Sequence, residues 1–268
     1  MEECFLDSPR GRTYYWIDRS GTPGPDLVFL PGLTATHRLF DPQTAYFSGR
    51  YPLLTWDAPA HGKSRPYRDF SYAHLAEELK AILDREGIER VCLVGQSAGG
   101  FVSQVFLSRW PERAAGFLSI DSCPFDPWYY SASDRWWLRQ IEWMARCYPD
   151  RLLRFSIARI CGATEAGRAN MRLMLAHYGK RELCHLMYLG EAGAVPEFLE
   201  LTISCPVLLT VGEKDRVGKV RQLNRRWSER EGHPLRWIAR AAHNANVDQP
   251  AEMNRIIEEF YLDITKEL

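Results

Sequence analysis

An α/β fold, with a mostly parallel twisted sheet and helices on both faces, is predicted by three features of the 268-residue chain. From Leu27 to Asp121, short continuous apolar runs alternate with longer stretches of helical spacing, the pattern of buried parallel strands joined by crossovers. The same rhythm resumes at Pro206 and continues to the end of the chain. Between Cys123 and about Pro196 it breaks into several short helical patterns. The expected organisation is a core of residues 1–121 and 204–268 carrying an inserted helical lid of residues 122–203.

Taken in order, residues 3–8 and 12–17 flank the turn signal Pro9-Arg10-Gly11, and Tyr14, Tyr15, Trp16 and Ile17 are strong strand formers, so an antiparallel hairpin is expected at one edge. Leu27 to Leu30 reads as a buried strand, followed by a loop beginning Pro31-Gly32-Leu33. Tyr51 to Trp56 is the next strand, and Asp57 to Ser64 the turn that leaves it; His61 in that turn reads as structural. Tyr72 to Glu86 carries Leu75, Leu79 and Ile82 on one helical face and ends before Gly87. Val91 to Val94 then forms a fully apolar strand, with a helical run from Ala98 to Trp110 directly after it. Ala115 to Ile120, Pro206 to Val211 and Leu235 to Ile238 complete the strands. A helix around Val217 to Trp227 and a final amphipathic helix from Pro250 complete the helices.

Ser97 falls on the tight turn between a strand and a helix. Such a turn strains its central residue and crowds helix against sheet, so small neighbours are required; Gly95, Gly99 and Gly100 supply them. The hydroxyl would stand above the carboxyl edge of the sheet, beside the first helical amides, and Gly32 lets the Leu33 amide face the same place as a donor to an oxyanion. A serine becomes a nucleophile at neutral pH only with a base to take its proton and a carboxylate to orient the base. His243 and Asp215 both follow late strands, on the edge where Ser97 emerges, and the chain order Ser, Asp, His suits this architecture. Asp121, Glu213 and Asp248 stay open as alternative acids.

The motifs Phe29-Leu30-Pro31-Gly32-Leu33, Asp57 to Ser64, Gly95-Gln96-Ser97-Ala98-Gly99-Gly100, Val211 to Asp215 and His243-Asn244-Ala245-Asn246 occur in the order found in the α/β-hydrolase superfamily, and the chain resembles its lid-containing members with a serine nucleophile. The resemblance covers about residues 26–121 and 204–262. It implies Ser97 as nucleophile, His243 as base, Asp215 as its partner, and the backbone amides of Leu33 and Ala98 as oxyanion hole. It departs from many relatives at Pro31-Gly32, where they carry His-Gly, and at Ala60-His61-Gly62, where they carry Gly-His-Gly. No metal or organic cofactor is required by this chemistry. The aromatic residues Trp128, Tyr129, Trp136 and Trp143 of the inserted segment are candidates for lining a substrate pocket.

The leading expectation is hydrolysis of a small apolar ester through an acyl-enzyme. Thioester cleavage, carbon–carbon bond hydrolysis, a lyase step of the menaquinone-pathway type and a low-turnover ligand receptor stay open on the same triad. With 34 basic and 34 acidic residues interspersed, no basic stripe favours nucleic acid or an anionic membrane. The acidic start Met1-Glu2-Glu3 lacks the pattern of a secretory signal and no run is long and apolar enough to span a bilayer, so a cytoplasmic protein acting on a small molecule is expected. A homodimer is left open. Seven cysteines without a Cys-x-x-Cys pair read mostly as small buried hydrophobes.

Overall fold

In the computed structural model, which describes residues 1–266, eight strands form one sheet. They are β1 (Glu2–Ser8), β2 (Gly11–Asp18), β3 (Asp26–Leu30), β4 (Leu53–Trp56), β5 (Val91–Gln96), β6 (Ala114–Ile120), β7 (Val207–Gly212) and β8 (Leu235–Ile238). Their order is β1-β2-β4-β3-β5-β6-β7-β8, with β1, β2 and β4 paired antiparallel and every later pairing parallel. The helices are α1 (Asp41–Phe47), α2 (Tyr72–Arg85), α3 (Ala98–Arg109), α4 (Ala132–Leu138), α5 (Ile141–Cys147), α6 (Asp150–Cys161), α7 (Glu165–Leu175), α8 (Lys180–Glu191), α9 (Val220–Glu231), α10 (Ala245–Asp248) and α11 (Pro250–Thr265).

The central strands are buried on both faces because helices cover both. β5, β6 and β7 expose none of their residues. Two apolar clusters result, one holding Leu75, Leu79, Ile82, Leu93, Phe117 and Trp227, the other holding Phe29, Phe40, Val94, Leu118, Ile256 and Ile257. The alternate residues of β5 divide between them, as the two-residue period of a strand requires. Ser71 caps α2 by accepting the His74 amide, which fixes where that helix starts.

Two local features differ from the sequence reading. The sequence pattern marks no helix over residues 37–47, yet His37–Phe40 forms a 3-10 turn that leads into α1, burying Leu39, Phe40 and Phe47. The helix after β7 begins at Val220 instead of Val217, because Gly218 adopts a φ of 47° and keeps the preceding residues in a turn. At the Asp57–Ser64 turn, Asp57 accepts from the His37 and Lys63 amides and from the His37 ring, and Ser64 Oγ donates to the Asp57 carbonyl. Ala60 sits there at φ 68°, in the left-handed region that favours glycine. His61 is buried in this turn, its Nδ1 3.0 Å from the Pro59 carbonyl, and burial pushes its pKa down.

β6 and β7 are neighbours in the sheet, so the chain between them, with α4 to α8, is an excursion from the core. Within it α5 packs on α8 and α6 on α7.

The sheet and α3 meet most closely at the turn after β5. A side-chain carbon on Gly99 would lie 1.9 Å from the Leu30 carbonyl oxygen, and one on Gly95 would lie 2.7 Å from the Gly100 α-carbon. Backbone on both sides leaves no flexible group to yield. Gly99→Ala is therefore expected to destabilise the fold by more than about 3 kcal/mol, a fall in Tm of roughly 6–12 °C. Thermal unfolding of the two proteins side by side measures it, and a shift of only a degree or two would contradict the close approach.

Candidate active site

Ser97 occupies the corner between β5 and α3 at φ 50° and ψ −120°, a conformation that a side-chain-bearing residue holds only under constraint. The constraint is visible. Its amide donates to the Ile120 carbonyl at 2.9 Å, and its own carbonyl accepts from the Gly100 amide and from Ser122 Oγ at 2.7 Å. The hydroxyl is thereby turned away from the sheet and toward the loops that follow β3, β7 and β8.

His243 lies on the loop after β8, with its Nε2 2.9 Å from Ser97 Oγ and its Nδ1 2.8 Å from Asp215 Oδ2. A carboxylate only accepts, so Nδ1 is the donor of that pair, and Nε2 is left to accept from the serine hydroxyl. The second oxygen of Asp215 accepts the Val217 amide at 2.8 Å, which fixes the carboxylate plane. Both side chains are nearly closed to solvent. Ser97, His243 and Asp215 thus form one hydrogen-bonded row, although 146 residues separate the first two.

The alternative acids lie elsewhere. Glu213 is exposed. Asp121 bonds backbone instead of the imidazole: Oδ1 accepts the Gly212 amide at 2.7 Å and Oδ2 the Ala245 amide at 3.1 Å. Burial, and then the charge of neighbouring Asp215, pushes the Asp121 carboxyl well above the usual range. Asp215 is the carboxylate in contact with the imidazole. Asp248 accepts from the amides of Ala163, Thr164 and Ala242 and from Thr164 Oγ1, so it ties the α6–α7 turn to the histidine loop.

Gln96 and Asp248 were missed as site-building residues. Gln96 is buried at the end of β5 and donates to the His243 carbonyl at 2.9 Å, holding the loop against the strand that carries the serine. A polar residue closing an otherwise apolar strand was its signal. For Asp248 the signal was only an acid shortly after the histidine.

The loop after β3 lies against the corner. A side-chain carbon on Gly32 would come within 2.9 Å of Ser97 Cβ and 2.3 Å of Gln96 Oε1. Ala98 opens α3, so its amide has no carbonyl one turn behind it. Neither that amide nor that of Leu33 is engaged in a hydrogen bond among the described residues.

Two cavities, of about 380 and 270 Å³, meet at Ser97 and His243. Phe101, Tyr130, Trp137, Leu138 and Phe198 line the larger, and Leu33, Ile141, Ile157, Met171 and Met187 the smaller. The four aromatic residues expected to line a pocket line neither, which corrects that expectation. Trp128 is exposed and stacks under Arg230, while Tyr129 is buried and donates to Glu231 at 2.7 Å. Trp136 and Trp143 are more than half exposed. Composition located the aromatic segment, but only the packing of α4 decided that Trp137 and Leu138 face the cleft and Trp136 turns away. The arginines of this segment face elsewhere too: Arg135 donates to the carbonyls of Tyr130 and Pro127, and Arg154 to those of Leu175 and Tyr178. Lys219, at the larger cavity, is paired with Asp134 at 2.6 Å.

The profile of the alpha/beta hydrolase family matches residues 27–256. The chain belongs to that family. Among its relatives, 3-oxoadipate enol-lactonase 1 of Acinetobacter baylyi is 24% identical, with 98% of each chain covered. A thermophilic esterase from Thermogutta terrifontis has the same fold, with a TM-score of 0.77, 17% identity, and coverage of 99% of this chain and 100% of its own. Est816, described as an N-acyl homoserine lactone degrading enzyme, superposes with a TM-score of 0.77, 20% identity, and coverage of 96% of this chain and 100% of its own. No helix of this hydrolase, among the described residues, is long and apolar enough to cross a membrane.

The buried carboxyl pair gives the hydrolase a pH signature. Because the native pKa of Asp121 is raised, the native state keeps a proton that the unfolded chain loses above about pH 4, so this residue's contribution to stability falls as pH rises through that window. Asp121→Asn removes the term, while costing about 1–3 kcal/mol at all pH values for the amide left facing an NH2 group. Urea unfolding between pH 4 and 8 should show the variant's deficit shrinking as pH rises; parallel stability curves would contradict it.

Proposed function

We propose that this hydrolase cleaves small apolar carboxylic esters through a Ser97-His243-Asp215 triad and an acyl-enzyme. The observation that carries the reading is the hydrogen-bonded row from Ser97 Oγ through His243 to Asp215, opening onto a cleft whose walls are largely apolar. Esterase and lactonase names among the relatives support the bond type, since a lactone is an ester whose alcohol stays tethered to its acyl group.

In this mechanism Ser97 Oγ attacks the carbonyl carbon as His243 Nε2 takes its proton, and Asp215 holds the resulting imidazolium. The amides of Leu33 and Ala98 receive the developing oxyanion, a role for which both are free. The tetrahedral intermediate collapses when the imidazolium gives its proton to the departing alkoxide. Water then enters and gives a proton to His243, and its oxygen attacks the acyl carbon. The second collapse returns the proton to Ser97 Oγ and releases the acid. Residues 1–121 and 204–268 serve as the core, and 122–203 as a lid that shapes both cavities. The arginines of the lid are spent on its own backbone carbonyls or face outward, so Arg216, on the smaller cavity, is the guanidinium placed to meet a substrate carboxylate.

Ser97→Ala should abolish both hydrolysis of short p-nitrophenyl esters and labelling by a fluorophosphonate, and Asp215→Asn should lower kcat by roughly 10³–10⁴-fold. A wild-type protein that takes no label at Ser97 would end the reading.

The two cavities also make a separable claim: one arm of the ester lies in each. Leu138→Trp narrows the larger and Ile157→Trp the smaller. Each should depress kcat/KM for the long members of only one series, acyl chains in one variant and alkyl alcohols in the other, since each displaced methylene is worth about 0.8 kcal/mol. Rates across p-nitrophenyl acylates and alkyl acetates read this directly, and equal losses in both series would refute two separate arms.

A further inference from the structure

Glu191 ends α8 and lines both cavities, together with Ser97, His243, Val217 and Gly218. It stands at the junction where a scissile bond would lie. Among the described residues its carboxyl makes no hydrogen bond and no ion pair with lysine or arginine. It also sits at the carboxyl end of a helix, where the aligned peptide dipoles disfavour negative charge. Burial pushes its pKa up, and the nearby His243 is the group that pulls it down. Its setting is rigid. Tyr72 Oη donates to the Gly190 carbonyl at 2.8 Å, and a side-chain carbon on Gly190 would come within 2.4 Å of Leu33 Cδ1, so the end of α8 rests on the residue whose amide faces the oxyanion.

Val217 and Gly218 offer no side-chain donor, and of the two cations on these cavities Lys219 is paired with Asp134 and Arg216 makes no ion pair with Glu191, so a donor carried by a bound molecule would give this carboxyl its first direct partner. We propose that Glu191 is a specificity-determining residue, whose carboxyl accepts a hydrogen bond from an N–H or O–H carried by the substrate within a few atoms of the scissile carbonyl. The preferred substrates are then acylamino or hydroxy esters and lactones with apolar arms, in preference to plain alkyl esters. The inference rests on the ester-hydrolase reading above.

The test compares the methyl esters of N-hexanoylglycine and N-hexanoylsarcosine, which differ by the methyl group that replaces the amide hydrogen. Wild-type kcat/KM should favour the glycine ester by about tenfold or more, the value of a hydrogen bond to an ionisable acceptor. Glu191→Leu should bring that ratio close to one, and Glu191→Gln, which keeps a carbonyl acceptor, should retain part of it. A wild-type ratio near one, or a ratio unchanged in Glu191→Leu, overturns the proposal, whatever happens to the absolute rates. Calorimetric binding of the same two esters to Ser97→Ala, with and without Glu191→Leu, reads the same contact without turnover. Failure of hydrolysis is thereby distinguished from failure of recognition.

Discussion

The site depends on how closely α3 is drawn against β3 and β5. With no side-chain carbon on Gly99 or Gly95, the first turn of the helix settles onto the carbonyl end of β3, and the backbone corner between strand and helix becomes too sharp for an ordinary conformation. Ser97 takes up the strain at φ 50°, held by Ile120, Gly100 and Ser122. The same approach presses the loop at Gly32 against the serine. A single packing constraint thus exposes the hydroxyl, starts a helix with a free amide beside it, and presses against the serine the loop that carries a second free amide, that of Leu33.

Parallel pairing does the rest. β3, β5, β6, β7 and β8 run in one direction, so their following loops all open at one edge, and residues far apart in sequence meet there without any long connection crossing the site. Asp121, at the end of β6, shows how this edge is stabilised. Its two oxygens bind the ends of β7 and α10, so the loops bearing Asp215 and His243 are referenced to one buried carboxyl. A buried acid beside another acid is electrostatically unfavourable, and two backbone amides offset part of that cost.

This division explains what the sequence made legible. The corner at Ser97 was readable because its requirements are local: an apolar strand, three glycines and a helical run, all within a short span. The strands were readable because burial on both faces leaves an uninterrupted apolar signature. Asp215 was favoured over Asp121 and Glu213 only by the loop on which the resemblance places the acid, since all three precede His243 and the contact to it depends on how separate loops converge. The inserted segment was readable as helices but not as surfaces. Trp136 and Trp137 are adjacent and chemically identical, and only the path of the backbone from Tyr130 sets which of them faces the cleft. Glu191 carried no pattern at all, and Gln96 and Asp248 only a faint one, because a polar residue gains its meaning from what surrounds it after folding.

The helical segment over the cleft is also not one body energetically. Asp248 and the Asn244 amide bind the α6–α7 turn through Ala163, Thr164 and the Cys161 carbonyl, so that part of the segment is fastened to the loop that carries His243. α7 and α8 bury Met171, Met174, Leu175, Leu183 and Leu186, whereas α4 buries none of its residues and α5 only Ala145. Local stability follows buried apolar contact and protected hydrogen bonds, so opening of the segment costs least at α4, over the larger cavity, and at α5, which reaches the smaller one through Ile141. The bonds that position the histidine run through α6, α7 and β5 instead. The part of the insertion that covers the larger cavity and the part that is bonded to the Ser97-His243-Asp215 row are in this way different.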